Sequence, residues 1–541
     1  MSFQGKLHRA VLGKRGMVAA AHPLAAYEGA KALEQGANAM DACLVMAGVT
    51  GVVLPAMCGL GGDVFLLYYD HKKRTVTGLN GSGTAGNGAT LEYFISRKHA
   101  ILPQEGICSV AVPGAPLAYE DASKRWGTWS LRQCFNPGIR IAQEGFPLTP
   151  FLHLFTEMEK DKLCRYQEGA KIFLVNGKTP RLGAIMRQPD LARTMAEFAD
   201  GGAEYFYNGP FAKAFYALNE AMGGLFTGDE FKEHKSEIYA PLQTDYRGFT
   251  VYGTRPVSQG FVLQEGLNII QSAPIGEMDP QGAESIHIMV EALKLAFDDR
   301  NQYAGDPRMT GFDVNILLST AWAQAKFKEI DPKNAKKQQY VPLNPSDGDT
   351  TSFVAVDAEG NACSFIQSVA FAYGSGVVVP GTGVVLNNRA GRAFNLVPGH
   401  PNCIAPGKRP MHTLNCYMVF KGNDLFLAGG TPGGDAQPQW NMQIISLMID
   451  HGYGPQEAVD FPRWRSFPGT DLKDVGKPYE VRLEAGFPAN TFIDLARLGH
   501  KVVKLDAWQG GGDVQIIMVD RETGLLVGGS DHRHEGQAIG I

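Results

Sequence analysis

The chain has 541 residues, of which 19% are charged and 44% hydrophobic, with a formal net charge of -5. That length and balance suit a large globular core and exclude both a disordered chain and a basic nucleic-acid-binding surface. Glycine is over-represented at 65 residues and falls in clusters, which marks tight turns and close backbone approach, as in a site built from main-chain groups.

The basic stretch 1–16 carries no apolar core segment, so no signal peptide is expected. No apolar run is long enough for a membrane span. Pro23 opens a helix predicted to place Leu24, Tyr27, Ala30 and Leu33 on one side, and Gly36 closes it. Ala42 to Val53 reads as a buried helix, and Gly59-Leu-Gly-Gly-Asp63 leads into a strand from Val64 to Tyr69. From about 110 to 340 charge and helical periodicity rise, as in Ile286 to Phe297. Residues 331–349 are polar and proline-bearing, which predicts an exposed linker.

From Thr350 onward short strands separated by glycine turns are expected, over 352–357, 362–368, 376–380, 383–388, 417–420 and 424–430. Eight cysteines are scattered without a C-x-x-C pair, most in apolar runs, and read as reduced core residues of a cytoplasmic protein. The histidines show no metal-ligand spacing, so no metal or other cofactor is expected. His532 and His534, in Ser530-Asp-His-Arg-His-Glu535, read as a solvated carboxy-terminal tail.

The junction at Thr350 carries the chemistry. A threonine hydroxyl is a poor nucleophile without a neighbouring base. A cut before Thr350 frees an α-amine whose pKa, about 7.7–8.0, lies near working pH and which sits within reach of the hydroxyl. Read alone, Asp349-Thr350-Thr351 is better read as an ordinary strand start. The turn Asp357 to Asn361 changes that balance. If those two residues face each other, cross-strand partners sum to 718 and Thr350 lies opposite Ser368.

Thr431-Pro-Gly433-Gly434-Asp435 lies between a strand, Asp424 to Ala428, and a helix with Trp440, Ile444, Ile445 and Met448 on one face. Such a junction aims main-chain N–H groups outward at a helix N-terminus, as an oxyanion hole needs, with Asp435 as the N-cap. A plain left-handed turn is the alternative.

Several motifs occur in one order: Val18-Ala-Ala-Ala-His-Pro, Gln35-Gly-Ala-Asn-Ala-Met-Asp, Gly59-Leu-Gly-Gly-Asp-Val-Phe, Val112-Pro-Gly and Asp245-Tyr-Arg-Gly. Asp349-Thr-Thr-Ser-Phe, Leu386-Asn-Asn, Pro406-Gly-Lys-Arg-Pro and Pro432-Gly-Gly continue it. With these the chain resembles the γ-glutamyltransferase (glutathione hydrolase) family over nearly its full length. The resemblance implies an α+β fold, the four-layer αββα sandwich of an N-terminal-nucleophile hydrolase. It implies cleavage at Asp349–Thr350 into products 1–349 and 350–541, which together form one folding unit, a heterodimer able to pair into a dimer of heterodimers. It further implies Thr350 as nucleophile, Gly433 and Gly434 as the oxyanion site, and Thr351 and Ser368 as support.

The glutamyl-recognition set departs from the family. The arginine that holds the substrate carboxylate there aligns with Ser82, and an asparagine near the α-amine aligns with Ala370. A glutamine is replaced by Arg389, a nearby acid falls at Arg392 or Ala393, and a Ser-Ser pair reads His412-Thr413. Loss of an Arg–carboxylate fork removes a strong recognition element, and a cation in its place repels an α-ammonium group. The expected substrate is therefore a different small amide with an acidic group near Arg389, with His412 and Thr413 as further binding positions. Oxamate amidohydrolases and cephalosporin acylases are the nearer models. No nucleic acid or membrane partner is expected. A true γ-glutamyltransferase and a non-catalytic relative remain as alternatives.

Overall fold

Alternation along three strands of one sheet sets the architecture. Met17 and Ala19 of the strand Met17–Ala20 join one apolar cluster, while Val18 and Ala20 join another. Val354 and Val356 against Phe353 and Ala355, and Phe65 and Leu67 against Val64 and Leu66, divide in the same way. Strands buried on both faces must form an interior layer. The inner cluster is completed by Met418, Phe420, Ala428 and Ile517 of a second sheet. The other face of that sheet, with Tyr417, Val419, Leu427 and Ile516, packs on the helices Gly260–Ile270, Ala283–Tyr303 and Ala436–Ile449. The outer face of the first sheet packs on Pro23–Glu34, Ala39–Val53, Ala115–Trp126 and Leu131–Glu144. The result is the helix–sheet–sheet–helix sandwich expected, with two sheets of seven strands each.

The computed structural model describes residues 8–337, 349–466 and 479–541. The strand Asp349–Val356 is central in the first sheet, between Met17–Ala20 and Ala362–Ala370, and Asp63–Asp70 lies next beyond. Chain from before and after residue 349 therefore alternates within one hydrogen-bonded ladder. Most of the expected linker, 338–348, lies outside the described residues.

Four expectations are corrected. In the helix Pro23–Glu34 the buried side is Ala25, Ala26, Gly29 and Ala30, and Tyr27 is exposed. The small residues permit close approach to the next helix, since a Cβ at Gly29 would lie 2.7 Å from Met46 Cγ. Segments 376–380 and 383–388 are not strands but an irregular loop joined by one bridge, Val378–Val385. Cys164 is exposed, although Cys43, Cys58, Cys134, Cys363 and Cys416 are buried free thiols. The carboxy terminus is no solvated tail, although His532 itself is exposed: Gln537–Gly540 pairs with Met17–Ala20, and Asp531 is fully buried. Among the described residues no helix is long and apolar enough to cross a membrane.

Candidate active site

Thr350 is the second residue of the Asp349–Val356 strand. Thr351 to Val356 pair with Gln367 to Ala362 in the expected register, and the hairpin end is fixed by Asn361, whose backbone and side-chain amides both donate to Asp357 at 2.9 Å. The register slips only at Thr350, because Asp349 pairs with Ala370. Thr350 thus stands across a bulge from Ser368 and Val369, near the position expected. Beyond the bulge Ala370 takes a φ of +86°, a conformation costing a non-glycine residue about 1–3 kcal/mol that tends to cluster at functional sites. Thr350 is 4% exposed, and its Oγ1 has no hydrogen-bond partner among the described residues.

Thr350 and Thr351 line a cavity of about 530 Å³. Its apolar wall includes Leu54, Met57, Phe151, Phe155 and Phe371, and its polar wall includes Gln104, Arg465, Asp513 and His534. Gly433 lines it too. Gly433 has φ +123° and Gly434 φ +55°, both in the range that favours glycine. A Cβ at Gly433 would sit 2.2 Å from Cζ3 of Trp440, whose ring also packs against Gly511 and Gly512. Both carbonyls are used: Gly433 O accepts from the Ala436 N–H at 2.9 Å, and Gly434 O from Gln259 Nε2 at 3.0 Å. Neither N–H donates to another described residue. Two unused donors just ahead of the helix Ala436–Ile449 suit a developing oxyanion.

Asp435 does not cap this helix with its side chain. Its carboxylate is instead paired with the buried Arg300, which also donates to Gln259 Oε1 at 2.6 Å. The ion pair anchors the glycine loop from behind, a better use of a carboxylate buried away from solvent.

Arg389, His412 and Thr413 do not line the cavity, so their expected contact with substrate is not carried by the structure. Arg389 is 1% exposed and donates through Nε to Asp63 Oδ2 at 3.0 Å, next to Ser368 in the sheet. Burial raises the Asp63 carboxyl and lowers the Arg389 guanidinium, so the two charges persist only as a pair. His412 is buried against Phe65, and burial, reinforced by Arg389, Arg392 and Arg409, holds it neutral. Thr413 turns its carbonyl to Gln259 and Asn415. Ser368 and Gly434 also stand off the cavity wall. Removing one partner of a buried pair is costly. Arg389→Ala should therefore lower unfolding free energy by about 3–5 kcal/mol in urea titration, and Asp63→Asn with Arg389→Met should recover much of it. A fully stable Arg389→Ala protein would return the residue to the substrate.

Sequence reasoning missed Arg465, Trp440 as a wall of the glycine loop, and the cavity role of Asp513 and His534. Burial, then Asp531, pushes the Asp513 carboxyl well above the usual range, and burial lowers His534 to about 4, so the imidazole is neutral near pH 7. The run Gly510-Gly-Gly-Asp513 was the one available signal, since three adjacent glycines announce close packing. Two histidine–carboxylate groups, His287 with Glu291 and His500 and His8 with Asp460 and His532, also escape sequence spacing, and neither lines the cavity.

Two sheets between helical layers, with a threonine at the head of a central strand facing a glycine loop, define an N-terminal-nucleophile hydrolase fold. The profile of the gamma-glutamyltranspeptidase family matches residues 25–541. A glutathione hydrolase-like YwrD proenzyme of Bacillus subtilis is 35% identical over 538 residues, covering 99% of this chain and 100% of the relative. An oxamate amidohydrolase proenzyme of Klebsiella pneumoniae is 32% identical over 547 residues, covering 99% and 100%. The crystal structure of a cephalosporin acylase from Bacillus halodurans superposes with a TM-score of 0.90 at 33% identity, covering 100% of this chain and 98% of the other. The chain belongs to the gamma-glutamyltranspeptidase family and is an amidohydrolase of that family.

Proposed function

We propose that the chain cleaves itself between Asp349 and Thr350 and then hydrolyses the amide of a small non-glutamyl acid through an acyl-enzyme on Thr350. The observation that carries this is an unpartnered Thr350 hydroxyl on the same cavity wall as Gly433, with both glycine N–H donors unused. Thr350 Oγ attacks the amide carbon while its proton passes to the freed α-amine, and the N–H groups of Gly433 and Gly434 receive the oxyanion. Collapse expels the amine, which takes that proton, and water then cleaves the ester. The fragments stay together as a heterodimer because Asp349–Val356 is hydrogen-bonded on one side to Met17–Ala20, from the large fragment. Mass spectrometry of the purified protein tests the cut: a small fragment beginning anywhere but Thr350 overturns it.

Ser82 is fully buried and donates to Asn80 at 2.6 Å, Ala370 has no side-chain donor or acceptor, and Arg389 is held by Asp63. No amino-acid clamp arises from these three. γ-Glutamyl-p-nitroanilide and glutathione should therefore be hydrolysed about ten- to a hundredfold less efficiently than the preferred amide, since a lost charge-assisted contact costs roughly 1.5–3 kcal/mol. Efficient turnover of either would support a true γ-glutamyltransferase.

A further inference from the structure

Every other arginine around this end of the cavity has a carboxylate. Arg463 pairs with Asp531, Arg533 with Glu484 at 2.6 Å, and Arg482, the cross-strand neighbour of Arg465, with Glu480 at 2.9 Å. Arg465 has no ion-pair partner among the described residues, and its Nε is buried without an acceptor. The acids on the cavity wall are already engaged: Glu105 by Arg165 at 2.6 Å, and Glu159 by Lys162 at 2.8 Å. Asp513, its carboxyl pushed upward by burial, accepts from Gln515 Nε2 at 2.7 Å. Among the described residues the cavity wall therefore carries one cation, Arg465, without an ion-pair partner. Trp440 supplies a second buried donor without an acceptor, its indole Nε1–H. Orphaned buried donors of this kind call for a ligand acceptor.

The strand that carries the arginine is firmly anchored. This strand, Trp464–Ser466, is clamped to the helix behind the glycine loop by two glutamines one turn apart. Gln443 Nε2 donates to the Trp464 carbonyl at 2.8 Å, and the Ser466 N–H donates to Gln439 Oε1 at 2.8 Å. The Arg465 backbone thus has a fixed relation to the helix that follows Gly433 and Gly434, as a group that measures substrate length requires.

We infer that Arg465 is the anion-reading residue of this site, and that the preferred substrate is an amide of a dicarboxylic acid whose free carboxylate docks on Arg465 across an apolar spacer. Resting on the function proposed above, this assigns the acidic-group recognition expected of Arg389 to another element of the fold. Leu54, Met57, Phe155 and Phe371 provide the wall along which a short hydrocarbon spacer lies.

The test uses the mature enzyme with the mono-p-nitroanilides of succinic, glutaric and adipic acids and their methyl esters, followed by turnover and by calorimetric binding. At least one free acid should exceed its ester about ten- to a hundredfold in kcat/KM, the size of one charge-assisted contact. Arg465→Met should erase that preference, chiefly through KM, and leave ester turnover within about threefold. Arg465→Lys should restore only part, because a point charge replaces a planar fork. If the methionine variant fails to mature, the acid-to-ester ratio of the lysine variant decides. Equal losses on acids and esters, or neither binding nor turnover of the acids by the wild type, would overturn the assignment. A chain that never cuts before Thr350 would instead overturn the underlying function, which gel electrophoresis reads separately.

Discussion

Thr350→Ala should remain one uncut chain and lose amidase activity by at least about a thousandfold, the loss expected when a nucleophile is removed. One hydroxyl serves two reactions in this scheme. Its attack on the Asp349 carbonyl carbon forms an ester as the Asp349–Thr350 C–N bond breaks, and hydrolysis of that ester leaves the α-amine free as a base. Alanine removes the attacking atom for both steps. Fold and stability should change little, because Thr350 Oγ1 makes no hydrogen bond that alanine would break. Thr350→Ser should cut and turn over at reduced rates, since the hydroxyl remains while the methyl that restricts χ1 is lost. Gel electrophoresis and anilide hydrolysis read both. An alanine variant that is cut, or that retains activity, removes Thr350 from the mechanism.

The local half of this site was legible in the sequence. The turn Asp357 to Asn361 set the hairpin register, which placed Ser368 beside Thr350 to within one bulge residue. The strand–Gly-Gly–helix pattern placed Gly433 and Gly434 at a junction where both take positive φ and where Gly433 lies against the Trp440 ring. The substrate side was not legible, for a physical reason. An arginine reads substrate only if no carboxylate of the protein takes it, and which carboxylate takes it is settled by pairing across distant strands. Arg389 is 326 residues from Asp63, and nothing local announces their contact. Arg465 shows the converse, its importance lying in the lack of a partner while Arg463, two residues away, has one. The tail around Asp531 failed similarly, because its polar composition conceals ion pairs with Arg463 and Arg533 that make it part of the core.

Gly433→Ala should lower kcat about 10²- to 10³-fold in whatever fraction matures, the range measured when one oxyanion donor is removed elsewhere. Two independent effects combine. At φ +123° a side chain is strained whatever space surrounds it. The added methyl would also lie 2.2 Å from Trp440 Cζ3, and the ring cannot yield easily with Gly511 and Gly512 packed against it. The loop must therefore rotate, which turns its N–H groups away from the carbonyl they should meet. Gly452→Ala controls for backbone strain alone, having φ +69° and no heavy atom within 4 Å of the new Cβ. It should be active and at most about 1–3 kcal/mol less stable. Adding Trp440→Ala to Gly433→Ala relieves the collision but not the strain, so partial recovery of kcat would apportion the two effects. A matured Gly433→Ala enzyme with wild-type kcat would show that the glycine loop shapes the cavity without stabilising the oxyanion.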